Sequence, residues 1–161
     1  MNYRRRKQLV VVGVVTTVAC VLATQPRAAE EEPSHRGDGT LPQPVVDTHH
    51  LMELFNQPVY KYLKEAMHEE PSDDDGWSTL QDRGLQAAEV MNLVAIRNDE
   101  ESDHPSWEKH LRSAQQAGLE LSEAAKSMDW EGTRQAYQAL IRNCNDCHQD
   151  VAPDHAPQVT P

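Results

Sequence analysis

Two thiols stand three residues apart with an imidazole directly behind them in Cys144-Asn145-Asp146-Cys147-His148. On a helix, positions i and i+3 share a face, so both sulfurs lie along one edge. Thiols in this arrangement add to the two vinyl groups of a porphyrin, and the histidine that follows offers a ring nitrogen to the iron. This C-x-x-C-H order is the attachment pattern of haem c, and we take it as the principal reading. Two other chemistries use the same residues. One is a disulfide between Cys144 and Cys147 in an oxidising compartment. The other is a zinc site built from both thiols, His148 and either His49 or His50.

The elements that position this motif follow from apolar periodicity over residues 45–152, where four segments repeat at helical spacing. The first runs from about Val46 to Met67 with Met52, Phe55, Val59, Leu63 and Met67 on one stripe, and its interior Pro58 predicts a kink. The second begins after the capping cluster Asp73-Asp74-Asp75, carries Trp77, Leu80, Gly84, Ala88, Met91 and Ala95, and ends near Arg97. The third opens at Pro105. Its stripe is Trp107, Leu111, Ala114, Gly118, Leu121, Ala125 and Met128. The fourth is capped by Asp129 and passes through Trp130, Thr133, Tyr137, Leu140, Cys144 and Cys147. No strand signal and no repeat interrupts them. The expected fold is all-α, an antiparallel up-down-up-down four-helix bundle with covalently bound haem. Gly84, Ala88, Ala114 and Gly118 let helices approach closely. Aromatic residues make up only 5% of the chain, so a bulky group completing the core is expected.

In that topology the end of the fourth helix is level with the start of the first and with the junction of the second and third. The motif then faces His49, His50, Met52 and Phe55, with Met91, Val94 and Ala95, and with Trp107, His110 and Leu111. Met52, on the buried stripe in the first turns, is the preferred sixth iron ligand. His49 or His50 is the next choice, and an iron with no sixth protein ligand is the third. Phe55, Met91 and Trp107 are expected to wall the pocket. Met67 lies roughly 22 Å further along the helix at 1.5 Å per residue, which removes it as a ligand. His68, His104 and His110 read as surface or loop histidines.

A helical bundle with C-x-x-C-H near its C-terminus resembles the class II c-type cytochromes, which comprise cytochrome c′ and its low-spin, methionine-ligated relatives. The resemblance covers about 105 of the 161 residues. It implies one haem c held through Cys144 and Cys147, with His148 on the proximal side of the iron. It also implies a sixth ligand in the region of Met52, and it allows a homodimer. The family often has an aromatic and a basic residue shortly after the motif, where this chain reads Gln149-Asp150-Val151-Ala152. Cytochromes c′ commonly carry an arginine one turn before the sixth-position residue, where this chain has Thr48. The haem-propionate contacts and redox tuning of the family therefore do not carry over.

The start of the chain reads as an export signal at residues 1–23. Arg4, Arg5, Arg6 and Lys7 precede an apolar stretch of 15 residues from Leu9 to Ala23, with cleavage expected after Ala23. That stretch is shorter than the roughly 20 residues that cross a bilayer, so no stable membrane span is expected after cleavage. An uncleaved short anchor and lipidation at Cys20 are the alternatives. Export suits the motif, because covalent haem is attached outside the cytoplasm, and a periplasmic location follows. Residues 24–44 are rich in Pro, Glu, Gly and Ser and read as a flexible linker. The tail 153–161, with three prolines, reads as disordered. His35 and His155 are expected to be solvated in these two segments.

Charge limits the partners. The chain has 15 basic and 26 acidic residues, and removing the four basic residues of 1–23 leaves 11 against 26, a formal charge of −15. Nucleic acid is excluded as a partner, because no basic patch offsets the acidic surface. A redox partner with a basic face is expected, bound more weakly as salt rises. No acid–base pair or activated nucleophile stands out, so an enzyme is not expected. Three functions remain in view: a one-electron carrier with His148/Met52 ligation, a gas-binding module with an open or blocked sixth position, and a metal or redox-thiol protein without haem.

Overall fold

The computed structural model describes residues 43–161, and all its regular elements are helical. Residues 1–23, expected to be an export signal, lie outside the described residues, as do Cys20, His35 and nearly all of the expected linker. Helix α1 (Thr48–Leu51) runs through a π-helical turn (Met52–Asn56) into α2 (Gln57–Ala66), so these pieces form one continuous helix. It is followed by α3 (Asp74–Ala95), a 3-10 turn (Glu100–Asp103), α4 (Trp107–Lys126) and α5 (Trp130–Val151). The described residues thus make four helices and no strand. None of these helices is long and apolar enough to cross a membrane.

Aspartates start three of the helices. Asp47, Asp73 and Asp129 have extended backbones, and each accepts a bond from the backbone N–H three residues on, at 2.8, 2.8 and 3.0 Å. Each satisfies one of the N–H groups a helix leaves unpaired, and Asp74 and Asp75 place further negative charge against the positive end of α3. The expected start at Pro105 falls two residues early, since Pro105 and Ser106 form the turn that leads into Trp107. The α4 stripe is buried from Trp107 through Leu111, Ala114, Gly118 and Leu121 to Ala125. Met128 departs from it. It lies past the helix end with a φ of 54° and is 52% exposed.

Glycine lets α3 and α4 touch backbone to backbone. A methyl group on Gly84 would lie 2.6 Å from Ser122 N and 2.8 Å from Gly118 O. Around this crossing the core falls into two clusters. One joins Val59 and Leu63 to Trp77, Leu80, Leu121 and Tyr137, with Trp130 set edge-on to Trp77 at 6.2 Å. The other joins Leu51 to Met91, Val94, Trp107, Leu111 and Ala114. Loop anchors close this second end. The buried Arg97 donates to the carbonyls of Val46 and Leu93, and Thr48 N–H donates to Asp99 Oδ2 at 2.7 Å.

Pro58 acts through its neighbours. A proline at this point lacks the N–H that Leu54 O would bind, and its ring crowds that carbonyl. The turn before it widens to π geometry, in which the Gln57 N–H reaches Met52 O. Such a turn inserts one residue into the helical register. Phe55 is consequently carried off the buried stripe and is 45% exposed, and Leu54 beside it is exposed too.

The tail also differs from expectation. Instead of trailing as a loose end, residues 153–161 fold back over the helices. Asn145 Nδ2 donates to Val159 O and Asn145 Oδ1 accepts from Val159 N–H, both at 2.8 Å. Tyr60 Oη donates to Thr160 O at 3.0 Å, Lys64 Nζ donates to Thr160 Oγ1 at 2.6 Å, and Val159 packs against the first cluster.

Candidate functional site

The final turns of α5 carry Cys144, Cys147 and His148, and all three open onto one cavity of about 710 Å³. That volume lies within the range of small-molecule and cofactor pockets, about 300–1,000 Å³. The π turn and α2 contribute Met52, Asn56 and Tyr60, and α3 contributes Met91 and Val94. From α4 come Trp107, His110, Leu111 and Ala114. The lining is mainly apolar, since it draws directly on the second core cluster.

Each sequence-derived candidate now has a position. Cys144, Cys147, His148, Met52, Met91 and Trp107 share the cavity. Met52 is half-buried, whereas Met91 and Trp107 are buried. Phe55, expected in the wall, is absent from the lining for the register reason given above. His50 and Ala95 are likewise outside it. His50 instead bonds Asp47 Oδ1 through Nδ1 at 2.8 Å, which raises the imidazole pKa, while the His50 backbone N–H and then this ring bond lower that of the carboxyl. His49 lines the cavity from an exposed position, 3.4 Å from Glu53.

Both cysteines are free thiols in this structure. Burial pushes the Cys144 thiol up to about 12. Cys147 is pushed up to about 11 by burial and by the Asp150 carboxylate. Both are therefore neutral near pH 7. The four-ligand zinc reading requires the thiols to gather with His148 and a first-helix histidine. Among the described residues, no group of three or more His, Cys, Asp or Glu side chains is arranged to hold a metal ion.

His110 corrects the surface assignment. It is 9% exposed, lines the cavity and donates through Nε2 to Asp150 Oδ2 at 2.8 Å. That bond, reinforced by Ser106, holds the Asp150 carboxyl below its ordinary range. His148 Nδ1 lies 2.7 Å from the carbonyl of Pro157. A carbonyl only accepts, so Nδ1 carries a proton, and in the neutral imidazole the lone pair is then on Nε2.

Sequence reasoning missed the tail residues His155, Pro157 and Val159 as cavity lining, and no local pattern announces them. It also missed Asn56 and Tyr60. These were within reach, since they follow Met52 at four-residue steps along one helix face.

No protein-family model matches the chain, and no curated protein or solved structure is similar to it at a level that marks relatedness.

Proposed function

We propose that the chain is an exported, monohaem c-type cytochrome that carries single electrons in the periplasm, similar to the methionine-ligated class II cytochromes. One observation carries the reading: the two thiols and the imidazole of a C-x-x-C-H motif, together with Met52, border the same largely apolar cavity of about 710 Å³. The donor set suits haem c. Cys144 and Cys147 would hold it as thioethers, His148 would offer Nε2 to the iron, and Met52 would offer its sulfur as the sixth ligand. When bound, haem supplies a one-electron ferric/ferrous couple. The chain's own residues do the rest. Two protein ligands limit rearrangement between oxidation states, and a methionine sulfur favours the ferrous one. Val94, Trp107 and Leu111 exclude water from the cavity and lower its dielectric. The acidic surface left after removal of residues 1–23 favours a redox partner with a basic face.

An antiparallel up-down-up-down order of the helices belongs to the same proposal. Its support is the α3–α4 crossing, where Gly84 meets Ser122 while Ala88 meets Gly118, so residue numbers rise along one helix as they fall along the other. The apolar lining at Val94, Leu111 and Ala114 also suits a small neutral ligand, which makes a gas-binding module with an open sixth position the second reading.

The test is intact mass and haem staining of the exported protein after denaturation. Retained haem that is lost in the Cys144→Ala/Cys147→Ala variant is expected. A chain that carries no covalent haem when expressed with a haem-attachment system contradicts the proposal.

A further inference from the structure

Nothing in the proposed function uses the tail, yet the tail makes the shortest polar contact of the motif histidine. Pro157 O receives the His148 Nδ1 proton at 2.7 Å. The segment just after this carbonyl is held by two helices. Two residues on, Val159 is gripped at both its N–H and its C=O by the Asn145 side chain, at 2.8 Å each. Asn145 is the residue after the first motif cysteine, so the motif itself holds the segment that bonds its histidine. From α2, Tyr60 and Lys64 bind three atoms of Thr160, its carbonyl, its hydroxyl and its N–H, with Tyr60 Oη accepting from that N–H at 3.3 Å. Terminal residues are ordered where they are tied down, and each bond here involves a side chain of α2 or α5.

We propose that residues 157–160 are a positioning strap for His148, clamped by Asn145, Tyr60 and Lys64, which fixes the imidazole tautomer and ring orientation and aims Nε2 into the cavity. The inference rests on the haem reading only for what Nε2 binds. A ring that donates through Nδ1 to a carbonyl is a stronger electron donor at Nε2, and its orientation about the side-chain torsions is fixed. The strap therefore does two things to a group bound at Nε2: it removes the freedom of the ring to turn, and it favours the more oxidised partner. Asn145 and the Pro157 carbonyl act through His148 and are positioning groups.

The test follows the His148 Nδ1 proton by nitrogen-edited NMR on the full-length, haem-loaded protein, with the reduction potential measured alongside. The wild-type proton is expected to exchange slowly with solvent. In a chain ending at Ala156, and in Asn145→Ala, exchange should be about tenfold faster, the effect of losing one hydrogen bond, and the potential should rise. Asn145→Asp keeps the acceptor for the Val159 N–H and loses the donor, so its effect should be smaller. Unchanged exchange and unchanged potential in both Asn145→Ala and the shortened chain overturn the strap. If the shortened chain does not fold, Asn145→Ala decides alone, because its tail remains attached. If the wild-type chain carries no haem, the proposed function fails separately. The tautomer is then read on the haem-free protein: a proton on Nδ1 in the wild type, redistributed in Asn145→Ala, supports the strap. A proton on Nε2 in the wild type overturns it.

Discussion

Replacing Gly84 by alanine sets close backbone packing against helix propensity, because the two effects have opposite signs. Propensity alone favours alanine in a helix interior by about 1 kcal/mol. In the fold, the added carbon would meet Ser122 N at 2.6 Å, Gly118 O at 2.8 Å and Ser122 Cα at 2.9 Å. Carbon contacts ordinarily begin near 3.5 Å, so α3 and α4 must part by roughly 0.5–1 Å. All three atoms are backbone of α4, and no rotamer change relieves the overlap. Overpacking costs about 1–3 kcal/mol, and a backbone obstacle puts this site at the upper end, near 3 kcal/mol. The net loss is then about 2 kcal/mol, or about 8 °C in Tm for a domain of this size. Gly118→Ala is the graded companion. Its methyl group would meet Ala88 N at 2.9 Å and Gly84 O at 3.0 Å, a looser fit. About half the loss is expected there. Thermal unfolding followed by far-UV circular dichroism reads both, with the exposed Leu119→Ala as a surface control. A Gly84→Ala protein that melts at or above the wild type refutes the close crossing, as does a larger loss at Gly118 than at Gly84.

Three further outcomes are expected. Met52→Ala should convert the haem-loaded protein to a high-spin form that binds CO, and an unchanged spectrum would remove Met52 as the ligand. The backbone N–H and then the ring of His50 lower the Asp47 pKa, and the Asp47 carboxylate raises that of His50. The raised histidine contributes stability that is full below about 6.5 and fades as pH rises through its folded-state pKa. The melting difference between wild type and Asp47→Asn, which keeps a capping side chain, should therefore be larger near pH ~6 than near pH ~9. An equal difference at both would refute the coupling. Tyr137 is buried, its hydroxyl has no hydrogen-bond partner among the described residues, and burial pushes its pKa up to about 12. Tyr137→Phe should be no less stable in thermal melts, and more stable by up to about 1 kcal/mol; a loss of that size would reveal a partner.

The starts of α3 and α5 and the buried α4 stripe were legible because caps and apolar periodicity are local signals. Asp73 and Asp129 start α3 and α5 where the sequence places them, and Trp107 through Ala125 are buried as spaced. The motif and the three methionine and tryptophan candidates reach one cavity for the same reason: each sits on a face that helical spacing alone defines. Phe55 was misjudged because a stripe drawn at ideal spacing assumes an unbroken helix, whereas Pro58 forces a π turn just before it. His110 was misjudged because its partner, Asp150, lies 40 residues away, and pairing across that distance leaves no mark on either local pattern. The tail was the hardest. Its contacts run from side chains of α2 and α5 to main-chain atoms, and hydrophobic patterning carries no information about them.

Absorption spectroscopy of the exported, haem-loaded protein, ferric and ferrous, with and without CO, tests the central claim most directly. The account predicts a covalently attached, low-spin haem with a sulfur-to-iron charge-transfer band and indifference to CO. A high-spin spectrum that shifts on adding CO would contradict His148/Met52 ligation and transfer the site to the gas-binding reading, and a chain without haem absorption would contradict the site altogether.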